Sequence, residues 1–274
     1  MSQNKINIAT ISIIVPVKNN QTGINKLLDS FFKTQEKSVY PKELIIVDNN
    51  SNSSLLIAEK YLNRGINICV EKCSKIGPAA ARNMGAKKAL GDWLFFTDSD
   101  CVFTETTIEG YLFAKERAIA YAGKVVPLKQ NIISDYYKSI KLLNPPLNEQ
   151  QGNQSSYIIT ANCLIRKAAF ENVNGFNEEF ELASGEDVDL GIRLAKVGKL
   201  YFASQSIIKH DFENNLNDFY KRFYRYGMGL TQLEKIHNIT ISIDEIIPKN
   251  QTRISFFLTL LLKMAIKKGK NSSS

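Results

Sequence analysis

Four short apolar runs rich in β-branched and aromatic residues recur through the first hundred residues. They are Ile11-Ser-Ile-Ile-Val-Pro-Val17, Glu43-Leu-Ile-Ile-Val47, residues 66–70 and Asp92-Trp-Leu-Phe-Phe-Thr97. Runs of this length read as strands buried on both faces. Between them Leu27, Leu28, Phe31 and Phe32 recur at helical spacing, and residues 55–62 and 79–90 read as two further helices. Strands alternating with helices predict a mostly parallel sheet covered on both faces, an α/β architecture. In such sheets ligands bind beyond the carboxyl ends of the strands. Asn19, Asp48 and Asp98-Ser-Asp100 each follow a strand, so the topology gathers them into one crevice.

Past Gly123 the pattern changes. Ile132, Ile133, Tyr136, Tyr137, Ile140 and Leu143 predict a helix that stops before Pro145-Pro146, and the Gln/Asn/Ser-rich stretch 147–156 suits a mobile lid. Residues 157–165 have strand character, 168–173 form a short helix, 186–197 a helix closed by Gly198, and 200–203 a strand. From about Leu216 onward the chain is helical and rich in aromatic and basic residues.

The four cysteines (Cys69, Cys73, Cys101 and Cys163) show no paired CxxC spacing, which argues against zinc or a disulfide framework. The opening residues lack a basic stretch followed by a long apolar run, so a cytoplasmic location is expected. A net charge of +8 suits an anionic partner: nucleic acid, a nucleotide-sugar or an anionic membrane. The basic excess leans toward the C-terminus, where no acid follows Glu245.

Two D-x-D pairs stand out. Chance alone supplies roughly one in a chain of this length at average composition. Asp187-Val-Asp189 opens a predicted helix, where carboxylates are favoured by the helix terminus in any case. Asp98-Ser-Asp100 differs, because Trp93-Leu-Phe-Phe96 drives it to the end of a buried strand. Two carboxylates there repel unless a cation joins them. Mg²⁺ or Mn²⁺ takes oxygen ligands and commonly keeps only one or two protein carboxylates, with phosphates completing the shell.

In order and spacing, several segments resemble a family-2 glycosyltransferase of the GT-A type. They are Ile13-Ile-Val-Pro-Val-Lys-Asn19, Ile46-Val-Asp-Asn49, Gly77-Pro-Ala-Ala-Ala-Arg-Asn-Met-Gly85, Asp98-Ser-Asp100, Asn174-Gly-Phe-Asn177 and Gly185-Glu-Asp-Val-Asp189 with Arg193. The resemblance covers about residues 11–210. It implies a Rossmann-like nucleotide-binding half (8–125) and an acceptor half (126–215), followed by a helical C-terminal extension (216–274). It also implies inverting transfer of one sugar from a nucleotide-diphosphate donor, a UDP-sugar first of all, to the hydroxyl of a glycan or lipid-linked acceptor. Pro16, Val17 and Asp48 would face the nucleoside, Arg82 the base and diphosphate, and Asp98 and Ser99 the ribose side of the donor. Asp100, with Asp98, would hold Mn²⁺ or Mg²⁺. Asp187 would be the general base and Glu186 would orient the acceptor. His210 sits where similar enzymes often place a further metal ligand, although a lone histidine is as readily structural. Asn49 departs from the second acid common at that place.

Two rival functions are weaker. A sugar-nucleotide nucleotidyltransferase needs a Gly-rich phosphate loop after the first strand, and Pro16-Val-Lys-Asn-Asn20 has no glycine. A nucleic-acid-binding module is suggested by Phe219-Tyr-Lys-Arg-Phe-Tyr-Arg-Tyr226, yet its aromatics repeat at helical spacing, as a packed helix requires. The C-terminal segment is amphipathic: Ile254, Phe257, Leu258, Leu261, Leu262 and Ala265 share one face. It is too short and interrupted to span a bilayer. It either packs on the domain or on a second subunit in a homodimer, or it lies in the cytoplasmic membrane interface.

Overall fold

The computed structural model describes residues 6–35, 40–114, 117–144, 147–148, 153–155, 157–243 and 252–272. The first four strands, β1 (Ile11–Val17), β2 (Glu43–Asp48), β3 (Asn67–Lys72) and β4 (Trp93–Phe96), lie in the order β3-β2-β1-β4 and are all parallel. Helix α1 (Gln21–Thr34) follows β1, and α2 (Pro78–Lys88) follows β3. Alternate side chains divide into two cores. Ile11, Ile13 and Val15 face α1, with Leu27, Leu28 and Phe31, whereas Ile14, Ile45 and Val47 face α2, with Ala79, Ala80 and Ala86. This is the period of two that a strand covered on both faces requires. The alanines let α2 approach closely, and a Cβ added at Gly85 would come 2.5 Å from Ile14.

Beyond β4 the sheet becomes mixed. The chain continues through β5 (Cys101–Phe103), α3 (Thr106–Glu109), β6 (Ala120–Pro127), α4 (Ile132–Ser139), β7 (Leu147–Asn148), β8 (Gln154–Ser155), β9 (Cys163–Arg166), α5 (Lys167–Asn172), α6 (Glu186–Ala195) and β10 (Leu200–His210). Antiparallel β9 joins β4 to β6, β10 runs parallel to β6, and β5 pairs antiparallel with the end of β10. One sheet therefore runs through both expected halves. The α/β fold with a parallel first half of the sheet and a helical C-terminal region is as expected.

Residues 55–62 are not the predicted helix; only a 3₁₀ turn forms, at Glu59–Tyr61. The amide of Gln21 occupies the backbone here, accepting from Leu56 N–H and donating to Leu56 C=O at 2.9 Å each. A segment of two turns has little intrinsic helical stability to set against that. Residues 157–165 form strand only from Cys163, because the preceding turn is held by buried Asn162, which donates to Lys124 and Ser206 carbonyls and accepts from the Tyr111 hydroxyl. Strand β6 spans Gly123, past which the sequence pattern changes. In the fold Gly123 stays inside the strand, where a Cβ would sit 2.2 Å from the Asn162 side chain. The predicted 200–203 strand extends to His210. Half of the stretch expected as a lid, 149–152 and 156, lies outside the described residues.

The C-terminal helices are α7 (Leu216–His237) and α8 (Arg253–Ser272). With α4 they enclose a third core containing Tyr136, Tyr137, Phe219, Phe223, Leu258 and Leu262. Phe219 and Phe223 are fully buried there, so the aromatic-basic stretch offers neither ring for stacking on bases.

Candidate active site

The carboxyl ends of β1, β2 and β4 form the floor of the crevice. Val17 lies opposite Asp48 in register, and the Asn49 N–H donates to the Val17 carbonyl at 2.8 Å. Asp48 is buried and its Oδ1 accepts from Ser51 N–H at 3.0 Å. Asn49 is buried as well. Its amide donates to the Lys75 carbonyl at 2.6 Å and its Oδ1 accepts from Gly77 N–H at 3.0 Å. Gly77 caps α2 at φ +115, so Asn49 fixes the turn that launches that helix. A carboxylate could accept but not donate, which accounts for the amide here.

The acidic loop is anchored from α1. Asn20 caps that helix by accepting from Gly23 N–H, and its amide nitrogen donates to Ser99 Oγ at 3.0 Å. A Cβ at Gly23 would stand 2.3 Å from the Ser99 carbonyl, so the helix start and the loop touch backbone to backbone.

Arg82, almost fully buried on α2, donates through Nη2 to Asp98 Oδ1 at 2.7 Å and through Nη1 to Glu186 Oε1 at 2.9 Å. Both arms of the guanidinium are therefore engaged by carboxylates. These two carboxylates hold the guanidinium charged against the cost of its burial. Burial pushes the Glu186 carboxyl up and Arg82 draws it partly back. Glu186 Oε2 has no hydrogen-bond partner.

Glu186 is the first residue of α6, whose cap, Gly185, has left-handed φ of +90. Next to it Asp187 is half-buried, with its Oδ1 accepting from Val188 N–H. Burial, reinforced by the charge of Glu186, pushes the Asp187 carboxyl up to about 7. The phenol of Tyr157 is raised to about 12, first by burial and then by Asp187. Asp189 is separate from this group. It is buried, pairs with Arg193 at 2.5 Å and meets His237 Nε2 at 2.9 Å, which ties α6 to α7. The second D-x-D thus divides into one acid with a raised pKa and one structural clamp.

His210 ends β10, and its position follows from pairing: it lies opposite Cys101 in β5, and Asp211 N–H donates to the Asp100 carbonyl. Its Nε2 is 3.4 Å from Asp100 Oδ1. Asp100, Cys101 and His210 offer ligand atoms within 4.8 Å of one another. Asp98 is not among these three, and its Oδ1 is held by Arg82. Asp100 Oδ1 and His210 Nδ1 are buried without hydrogen-bond partners, which is the condition expected of groups that take a cation. Cys101 does not suit a hard ion, because its sulfur is a soft donor. Among these three, the donors suited to a hard cation are one carboxylate and one imidazole.

The backing of His210 has no signal in the sequence analysis. Its ring stacks on Phe212 at 4.4 Å, and Phe212 meets Tyr137 edge-on at 5.1 Å. Glu213 accepts two bonds from Arg222, at 2.7 and 2.8 Å, and a short one from the Tyr137 hydroxyl. Nothing in local spacing joins residues 137, 213 and 222. A cavity of about 310 Å³ opens between Glu179, Glu181 and Ser184 and the α7 residues Met228, Thr231 and Gln232.

Comparison with known proteins shows the family and the fold. The sequence matches Glycosyl transferase family 2 over residues 12–173 and Glycosyl transferase family group 2 over residues 93–266. The Pre-mycofactocin glycosyltransferase of Mycobacterium tuberculosis is 28% identical over 237 residues, covering 83% of this chain and 48% of that protein. A Poly(ribitol-phosphate) beta-glucosyltransferase of Bacillus spizizenii is 38% identical over 111 residues, 39% of this chain and 17% of that protein. The chain thus spans about half the length, or less, of these curated relatives. Among solved structures, the Pyrobaculum calidifontis mannosyltransferase PcManGT in complex with GDP-Man and Mn²⁺ aligns with a TM-score of 0.59 at 16% identity, covering 96% of this chain and 73% of that one. S. aureus TarS 1–349 in complex with UDP aligns at 0.55 and 19% identity, covering 96% and 88%. These two likenesses show a shared fold, and with the sequence matches they establish that the chain belongs to glycosyl transferase family 2.

Proposed function

We propose that this chain moves one sugar from a nucleotide-diphosphate sugar, a UDP-sugar in the first instance, onto an acceptor hydroxyl with inversion. The observation that carries the reading is Arg82, whose one guanidinium joins Asp98 of the acidic loop to Glu186 at the head of α6, beside Asp187 with its carboxyl at about 7. Donor-side and acceptor-side acids are thereby held in one rigid array. Pro16, Val17 and Asp48 receive the nucleoside, and Ser99 and Asp98 the ribose side. Arg82 acts from beneath, positioning the two acids, since both arms of its guanidinium are engaged.

Asp100 and His210 would hold the divalent cation, which would neutralise the diphosphate leaving group. An imidazole beside a carboxylate favours Mn²⁺ over Mg²⁺, the harder ion that prefers oxygen. Asp187 accepts the acceptor's O–H proton as the new bond to the anomeric carbon forms and the bond to the diphosphate oxygen breaks. A base near 7 is matched to that task at neutral pH. Glu186, fixed by Arg82, orients the acceptor, a glycan or lipid-linked hydroxyl approaching from the side of the 179–184 cavity. We assign residues 8–215 to the catalytic domain and 216–274 to its helical extension.

A thermal-shift series with UDP, GDP and their sugars, with and without Mn²⁺ or Mg²⁺, tests the reading. A shift is expected with UDP or a UDP-sugar and Mn²⁺ together, reduced by chelator. No shift with any nucleotide diphosphate under any metal condition would sink it.

A further inference from the structure

Helix α8 is apolar on two opposite faces, and only one is covered. Leu258, Leu262, Ala265 and Ile266 are buried against α7 and α4. The seat is tight: a Cβ at Gly269 would come 2.0 Å from the Tyr224 carbonyl, and Lys270 pairs with Glu234 at 2.7 Å. The opposite face is thereby held outward. Along it Phe256 is 61% exposed, Phe257 52%, Leu260 49% and Met264 57%. At helical spacing these four form one stripe about 12 Å long.

The charges at its ends identify the occupant. Exposed Arg253 precedes the stripe, exposed Lys267 and Lys268 follow it, and α8 contains no acid. We propose that this face docks on an anionic lipid bilayer, with the stripe in the acyl-headgroup boundary and the three cations among the headgroups. Among the described residues no helix is long and apolar enough to cross a membrane, so the helix lies along the surface. A second copy fits the face less well, because two-fold pairing of antiparallel α8 helices sets Arg253 of one chain near Lys267 and Lys268 of the other. Through packed contacts the docked end leads to the crevice. Thr259 meets the Tyr136 hydroxyl at 2.9 Å, and the adjacent Tyr137 meets Phe212, the ring stacked on His210. On the proposed function, this places the crevice near a lipid-carried acceptor.

Flotation of the full chain with phosphatidylcholine vesicles, with or without 30% phosphatidylglycerol, tests the docking independently of sugar transfer. At low salt most of the protein is expected to float with anionic vesicles and little with neutral ones. Phe256→Ser with Leu260→Ser should cut the floated fraction at least fivefold while the melting temperature and the Mn²⁺-dependent UDP shift stay in place. Should that variant fail to fold, Lys267→Gln with Lys268→Gln keeps the apolar stripe and should cut flotation on anionic vesicles by a similar factor. Absence of flotation, equal flotation on neutral vesicles, or a wild-type floated fraction in either folded variant overturns the proposal. So does a stable dimer that is lost in Phe256→Ser and never floats.

Discussion

Arg82 Nη1 and Glu186 Oε1 lie 2.9 Å apart across 104 residues of sequence, both side chains almost fully buried. A buried carboxylate bonded to a guanidinium is tolerated as a pair, and removing one partner leaves an uncompensated charge. Glu186 is left in that state by Arg82→Ala, and Asp98 loses the same partner.

Arg82→Ala is therefore expected to lower unfolding stability by ~3–5 kcal/mol, the usual scale for breaking a buried pair. Arg82→Lys should recover only part of this, because a single ammonium cannot reproduce a fork that reaches two separate carboxylates. The joint change Arg82→Met with Glu186→Leu should be milder than Arg82→Ala. Urea midpoints measure all three, and a wild-type midpoint for Arg82→Ala would mean that the array is not closed to water.

Asp189 and His237 provide a contrast two residues from the proposed base. Asp189 also takes Arg193, whose Nη1 holds the Val173 and Gly175 carbonyls at 2.6 Å each. This acid organises the turn after α5 and pins α7, and it lies apart from the Arg82 array. Asp189→Asn should cost about 2 kcal/mol of stability, the scale of a lost charged hydrogen bond. Turnover measured well below the melting temperature should stay within a few-fold of wild type. Loss of turnover equal to that of Asp187→Asn, with unchanged stability, would reverse the two roles.

The parallel half of the sheet is legible because each of its strands is a run of apolar residues, and the acids that follow them fall into place by topology alone. Asp48, Asp98 and Asp100 are found this way, whereas Asp187, at the head of α6, is reached only through the family resemblance. What escapes sequence reading depends on distant partners. Gly123 lies inside a strand with Asn162 packed over it, and Arg82, expected at the base and diphosphate, has both arms claimed by Asp98 and Glu186. Residues 55–62 fail as a helix because a side chain 35 positions away takes the Leu56 backbone. His237 carries no signal because its partner is 48 residues distant.

On the proposed function, Asp100 and His210 carry the metal dependence. His210→Ala should weaken Mn²⁺ support of UDP binding more than Mg²⁺ support, since it removes the only nitrogen donor of the pair. Asp100→Ala should abolish the metal-dependent part of UDP binding altogether, leaving the melting temperature of the metal-free protein near wild type. Titration calorimetry with each ion, and with chelator, distinguishes these outcomes. Equal UDP affinity for Asp100→Ala with and without chelator is expected, and a persisting Mn²⁺ increment in that variant would place the cation elsewhere.

The final prediction concerns Asp187 and works through pH. Its carboxyl is raised from 3.8 to about 7, first by burial and then by the neighbouring Glu186. A base must be ionised to accept a proton, so turnover should climb with pH through about 7 and level off above it. Asp187→Asn should lose roughly 10²- to 10⁴-fold in turnover and flatten that rise, while UDP binding persists. Stability runs in the opposite sense. Between about 4 and 7 the folded state holds a proton that the unfolded chain releases, so the contribution of Asp187 to stability is favourable below that window and is lost as pH rises through it. Asp187→Asn cannot ionise and escapes this loss. In chelator, its melting temperature relative to wild type should therefore increase from pH 5 to pH 8. A difference that is constant across that range, or that shrinks, would mean that Asp187 titrates as an ordinary exposed carboxylate, and the general-base assignment would lose its electrostatic support.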